Sequence, residues 1–190
     1  YIVLDDTAKK LWSFAASRQG PISDIWKPLT ADNAFKPPPS LAIANGCIYV
    51  SCAAGIAARK VSGEGAFLLV SKNLKGLLAG NEDGLLFIAS NGKVSAHSTA
   101  KPGALENRWT SRAQFGEIKG IAANNFFIAL AESSGRLALL SAKDGTNLAS
   151  IEAKAVPRGM APSAICLNGN WLFACDSQGN RILRFRIHNK

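Results

Sequence analysis

The sequence predicts an all-β fold: a β-propeller, or part of one, with about four blades of four antiparallel strands each plus edge strands. Three observations support this prediction. A repeat of about forty residues occurs four times, two turn markers keep the same phase in every copy, and no stretch of about twelve residues has an uninterrupted helical apolar period. The chain has 190 residues, 47% of them hydrophobic and 18% charged, which excludes a disordered, collagenous or coiled-coil protein.

Each repeat begins with a polar turn that is followed by a run of apolar or small residues. The four turns end at Gly46, Gly84, Asn125 and Gly169. The runs after them are rich in β-branched and aromatic residues, so we expect strands that are buried on both faces. A second turn marker follows each of the first by roughly nine residues, at Gly55, Gly92, Gly135 and Gly179.

These markers divide the chain into one partial and four larger units. We place the approximate blades at residues 1–17 (partial), 40–72, 74–116, 118–155 and 161–188. In the last unit, Leu183, Phe185 and Ile187 alternate with Arg184, Arg186 and His188, which predicts a strand with one solvated face. A single blade cannot bury both of its faces, so neighbouring blades must stack.

The two ends of the chain leave two arrangements open. Tyr1–Asp5 and Lys9–Ala15 resemble the third and fourth strands of a preceding blade, and the last unit stops after its third strand. Either the first strands close a small ring of four or five blades, or the chain is the C-terminal part of a larger propeller. We favour the second arrangement, because the ends carry one strand too many for a simple closure and Tyr1 is not a natural start. An open fragment would expose strand edges and an apolar blade face, which need a partner.

The charge balance favours anionic partners without defining a site for them. The formal net charge is +9, but the basic residues are scattered along the chain. One basic residue stands before each innermost strand, at Lys36, Lys75, Lys119 and Arg158. If these four residues project from one face, they form a basic arc suited to phosphate or carboxylate groups, RNA included. The alternative is that they are solvated side chains near loop ends.

The long connection from Arg18 to Pro39 is a second candidate for binding. It is far longer than an ordinary loop, and it carries Ile25, Trp26 and Phe35. We expect it to be either a docking arm or a lid over the channel, or else a loop packed on its own domain. Large apolar side chains without a partner would be costly, and this keeps both alternatives open.

The cysteines bear on the cellular compartment of the protein. Cys47, Cys52, Cys166 and Cys175 do not have the spacing of a metal site and lie in apolar runs, so we expect buried free thiols and a weak preference for an intracellular, reducing location.

The stretch Leu41–Ala58 carries no charge, but Asn45-Gly46 in its middle is a hairpin signal. We therefore expect no membrane span.

Two segments resemble known propeller families. In Leu4–Phe14, Asp5, Lys10 and Trp12 resemble the repeat of quinoprotein-like (PQQ-type) propellers. The segment Ala161–Phe185 resembles an NHL-type blade, with matching residues Asp176, Asn180, Arg181, Ile182 and Phe185. These resemblances imply a propeller and leave an extracytoplasmic location open, but a fold does not determine a function.

The sequence contains no combination of residues that indicates catalysis. The carboxylates are spread thinly, only His97 and His188 are present, and no Ser-His-Asp set, phosphate loop or HExxH motif occurs. We expect no catalysis, metal or cofactor within this chain. Trp12, Trp109 and Trp171 are expected to pack between blades.

The sequence therefore predicts a non-catalytic binding or scaffold module in a larger assembly, with protein partners that complete the propeller. Two alternatives remain. The chain is part of a quinoprotein-like or NHL-like enzyme whose active site lies in missing blades, or it binds RNA or another anion through the basic channel face.

Overall fold

The computed structural model describes residues 2–5, 10–13, 40–61, 67–101, 103–156 and 159–188. In these ranges, 17 strands are numbered in chain order and form five antiparallel sheets. The N-terminal hairpin consists of β1 (Ile2–Asp5) and β2 (Lys10–Ser13).

The other four sheets are the blades, and each falls within one of the predicted repeat units. Blade 1 contains β3 (Ser40–Ala44), β4 (Cys47–Cys52), β5 (Gly55–Lys60) and β6 (Leu68–Ser71). Blade 2 contains β7 (Leu77–Gly80), β8 (Leu85–Ser90), β9 (Lys93–Ser98) and β10 (Glu106–Thr110). Blade 3 contains β11 (Ile118–Ala123), β12 (Phe127–Glu132), β13 (Leu137–Ser141) and β14 (Asn147–Ile151). Blade 4 contains three strands, β15 (Pro162–Asn168), β16 (Trp171–Asp176) and β17 (Arg181–Arg186).

The blades are arranged as a four-bladed β-propeller, which confirms the predicted fold. The innermost strands β3, β7, β11 and β15 contact one another in that order around the axis. The first turn of blade 1 shows how the sequence produces these hairpins. Asn45 and Gly46 both have positive φ, +46° and +67°, as a tight two-residue hairpin turn requires.

Three apolar cores hold successive blades together. The core between blades 1 and 2 includes Tyr49, Ile56, Leu78, Leu86 and Ile88. The core between blades 2 and 3 includes Phe87, Val94, Ile128, Leu130 and Leu140. The core between blades 3 and 4 includes Ala129, Leu137, Met160, Leu172 and Ala174. Among the described residues, no such core joins blade 4 back to blade 1.

The uncharged stretch Leu41–Ala58 forms parts of β3, β4 and β5 and the turns between them. Within the described ranges, no helix has the length and apolarity that a membrane crossing requires.

The expectation that every second strand is buried on both faces is wrong for blade 4. Every residue of β12 is buried, whereas β16 exposes Cys175 and only half-buries Trp171 and Phe173. The cysteine prediction fails for the same reason. All four thiols are free, but only Cys52 is buried, Cys47 is half-buried, and Cys166 and Cys175 are exposed. No described blade covers the face of blade 4 on which the last two lie.

The tryptophan prediction holds for Trp109 and is wrong for Trp171. Trp109 packs between blades 2 and 3, with its ring centroid 6.1 Å from that of Phe87. Trp171 is stacked by arginines on the uncovered face of blade 4. The side chain of Trp12 lies outside the described part of the structure.

Candidate functional site

The structure describes only some of the residues that the sequence predicts to bind partners. Ile25, Trp26, Phe35, Lys36 and Arg158 lie outside the described residues. The docking-arm hypothesis and the complete basic arc therefore stay predictions.

Two members of the predicted basic arc are placed. Lys75 is exposed in the loop that leads into β7. Lys119 is the second residue of β11 rather than a residue before it, and its Nζ lies 2.6 Å from Oε1 of Glu117. This ion pair neutralises part of the positive charge that the arc would present.

One side of blade 4, the side that faces away from blade 3, is uncovered, and we call it the outer face of blade 4. Strand register places its residues in three cross-strand rows: Ala164, Cys175 and Ile182; Cys166, Phe173 and Arg184; Asn168, Trp171 and Arg186. Ile182 is 69% exposed. This surface combines apolar side chains with arginines, a composition typical of protein interfaces.

Two arginines stack on the Trp171 ring at the centre of this face. The guanidinium carbon of Arg184 lies 4.6 Å from the ring centroid of Trp171, and that of Arg186 lies 5.8 Å from it. Cation–π contacts of this kind hold both guanidinium groups over the ring. Both arginines remain exposed to solvent, and a guanidinium group can bind a carboxylate through two parallel hydrogen bonds.

The outer edge of blade 4 is also free of a partner strand. The sheet order is β15, β16, β17, and no described strand pairs with the far side of β17. An edge strand presents a row of N–H and C=O groups, which is a template for another strand. The opposite face of β17 is covered, since Leu183 and Phe185 pack into the core between blades 3 and 4.

The one carboxylate of blade 4, that of Asp176, is fully engaged in contacts within the blade. Asp176 is buried, and its Oδ1 accepts hydrogen bonds from the N–H groups of Ala161 at 3.0 Å and Gly179 at 3.2 Å. Its Oδ2 lies 2.8 Å from Nε of Arg181. The Ala161 N–H first, and then Arg181, hold the pKa of Asp176 below its ordinary value. No other Asp or Glu occurs between Gly159 and His188, so the outer face of blade 4 is purely cationic.

The mouth of the central channel is lined by amides. An amide ring of Asn45, Asn81, Asn124, Asn125, Asn168 and Asn170 surrounds a cavity of about 820 Å³. Its members bridge blades: Asn45 donates to the carbonyl of Thr99, Asn125 accepts from the Glu82 N–H, and Asn124 donates to the carbonyl of Gly169. Through these hydrogen bonds the amide ring connects neighbouring blades. The asparagines in the turns after the innermost strands are the sequence feature that could have predicted these connections.

His97 is the one buried histidine among the described residues. It lies on β9, the third strand of blade 2, with Nε2 2.9 Å from the hydroxyl oxygen of Ser95. Burial lowers the pKa of His97, because the charged imidazolium would lose its solvation there. In the described ranges, no group of three or more His, Cys, Asp or Glu residues is arranged to hold a metal ion.

Comparisons with known proteins identify the fold. No protein-family model matches the chain, and no curated protein matches it in sequence. Among solved structures, Hsv2 of Kluyveromyces lactis is similar with a TM-score of 0.67 and 12% identity, over 100% of this chain and 59% of that one. The computationally designed Ika4 protein is similar with a TM-score of 0.62 and 11% identity, over 85% of this chain and 99% of that one.

A third similar structure is the β-propeller domain of Swd1 from Myceliophteria thermophila. Its TM-score is 0.59 at 12% identity, over 79% of this chain and 54% of that one. The chain thus spans a little over half the length of these two natural proteins. At identities this low, the similarity shows the propeller fold alone.

Proposed function

We propose that this chain is a non-catalytic protein-binding module that docks a partner on the outer face of blade 4. The observation that carries the proposal is the combination, on one blade, of an uncovered face and an unpaired edge strand. Blades 1 to 3 each have four strands, whereas blade 4 has three. A partner that covers this face would bury the exposed Ile182 and the stacked Trp171.

The charges of the face indicate the chemistry of the partner. Arg184 and Arg186 project from it, and no carboxylate balances them. We expect an acidic protein segment, because carboxylates complement paired guanidinium groups and the net charge of +9 steers acidic partners toward the chain. The free edge of β17 favours an extended segment that adds a strand to the sheet.

The test is co-purification from the cells in which the protein is naturally made. The double variant R184E/R186E should lose the stably bound partner. The matched control K72E/R108E, which reverses two exposed charges on other blades, should keep it. With the purified partner, the double variant should weaken the affinity by about tenfold or more, since charge reversal replaces attraction by repulsion.

An apolar pair of variants completes the design. Ile182 is 69% exposed and Leu68, on blade 1, is 66% exposed, so Ile182→Asp and Leu68→Asp are matched in solvent exposure. Only Ile182→Asp should weaken binding. Equal loss with both variants, or equal binding by R184E/R186E and the control, would contradict the proposal. A complex that falls apart on ribonuclease treatment would instead assign the face to RNA.

A further inference from the structure

A deep groove lies between blades 3 and 4 on the side away from the axis, and we call it the blade 3–4 groove. Its volume is about 970 Å³, at the upper end of the range for small-molecule sites. Its apolar walls include Leu139, Ile151, Leu172, Phe185 and Ile187, all from the core between the two blades. The groove is thus an unfilled extension of that core.

Strand register explains why this space is empty here and filled one blade earlier. In blade 2, Trp109 pairs with Ala96, which pairs with Phe87, and both aromatic rings pack against blade 3. In blade 3, the position that corresponds to Trp109 is Ala149, which pairs with Leu139. An alanine in place of a tryptophan leaves the space between the outer parts of blades 3 and 4 open.

The charged residues that line the groove are basic. They are Lys143 and Arg186, and the lining includes no Asp or Glu. Arg186 is held near the Trp171 ring, so the exposed Lys143 ammonium is the lining cation that we assign to a ligand. Asp144, in the turn after Lys143, also interacts electrostatically with that ammonium, but its Oδ1 accepts a hydrogen bond from the Thr146 N–H, the main cause of its lowered pKa.

We propose that the blade 3–4 groove binds a single-chain amphipathic carboxylate, the chemistry of a long-chain fatty acid. The acyl chain lies along the apolar walls, and its carboxylate meets the ammonium of Lys143. An acyl chain suits the carbon-lined walls because it buries no N–H or C=O groups against them, whereas a peptide would have to pair its backbone with the outer edge of β14 or β17.

The test uses 11-(dansylamino)undecanoic acid as a fluorescent probe, titrated with the 190-residue chain. We expect saturable binding with increased dansyl fluorescence, and displacement by unlabelled palmitate. Ala149→Trp places in the groove the side chain that fills the corresponding space in blade 2, so it should weaken binding at least tenfold. Ala100→Trp, at an exposed alanine outside the groove, is the control and should bind as the wild type does.

A second pair of variants tests the carboxylate contact. Lys143→Gln should weaken the carboxylate probe several-fold but leave binding of its uncharged methyl ester unchanged, and the exposed control Lys72→Gln should alter neither. The proposal is overturned if the wild type does not bind the probe saturably, if Ala149→Trp binds it normally while folded, or if Lys143→Gln weakens acid and ester equally. Binding of an acidic amphipathic peptide with no binding of the probe would also overturn it.

Discussion

At the scale of single residues, Gly145 and Trp109 close the gap between blades 2 and 3. The Trp109 ring lies over Gly145, and its indole N–H donates to the carbonyl of Ala142 at 3.3 Å. Gly145 has a φ of +72°, and a Cβ built there would lie 2.5 Å from the ring. This position therefore requires glycine both for its backbone conformation and for its closeness to the indole.

Gly145→Ala separates these two requirements when it is compared with Gly46→Ala. Gly46 has a similar φ of +67° but nothing within 4 Å of an added Cβ. We expect Gly46→Ala to lower the free energy of unfolding by about 1–2 kcal/mol through backbone strain. Gly145→Ala should lower it by about 1–3 kcal/mol more, because the added methyl group overpacks the interface. Urea unfolding measures both, and equal losses would show that the ring contact contributes nothing.

The sequence predicts some of these residues and not others. The Asn45-Gly46 turn is visible because its conformation is local, and it depends only on the two residues that form it. The exposure of Cys166 and Cys175 could not be predicted, since it depends on whether another sheet covers β15 and β16. Their apolar surroundings in the sequence match those of Cys52, which is buried.

At the scale of strands, blades 3 and 4 share one arrangement, which we call the clasp: a carboxylate at the end of the second strand accepts a hydrogen bond from a backbone N–H ahead of the first strand. In blade 4, Asp176 ends β16 and binds the Ala161 N–H ahead of β15. In blade 3, Glu132 ends β12, and its Oε2 accepts from the Gly116 N–H at 2.9 Å ahead of β11. An arginine follows each carboxylate, with ion-pair distances of 2.8 Å for Arg181 and 3.3 Å for Arg136. In blades 3 and 4, this carboxylate connects the segment that enters the first strand to the turn after the second strand.

The clasp of blade 4 makes stability depend on acid pH. Because the folded state lowers the pKa of Asp176, the unfolded state binds the proton more readily. The stabilisation is complete above the ordinary Asp pKa of about 4, and it is lost as the pH falls through the lower folded-state value. Asp176→Asn should therefore destabilise the chain at pH 7 and differ less from the wild type as the pH falls below about 4.

Urea midpoints measured from pH 7 down to pH 2.5 check this dependence. Glu82→Gln is the control, because the Glu82 side chain is exposed in the turn between β7 and β8. It should follow the wild-type curve throughout. A constant difference between Asp176→Asn and the wild type across the whole range would mean that ionisation of Asp176 does not stabilise the fold.

At the scale of the whole molecule, the repeat period alone predicts the propeller. Two turn markers in phase determine where the strands of each blade begin, and the structure has four sheets in those places. The candidate site is not predictable in this way. The outer face of blade 4 is exposed because no described blade covers it, and a periodic pattern carries no information on that. The blade 3–4 groove is open because Ala149 occupies the position of Trp109, a correspondence that only the strand register reveals.

Hydrogen exchange at β17, compared in the isolated chain and in its complex with the partner, tests the central claim most directly. Outward-facing amides of an edge strand lack hydrogen-bond acceptors, so the alternate β17 amides that point away from β16 should exchange rapidly in the isolated chain. In the complex they should become strongly protected, while β10, the outer strand of blade 2, should exchange as before. Unchanged exchange at 181–187 together with protection elsewhere would show that the partner docks on another surface and would contradict this account.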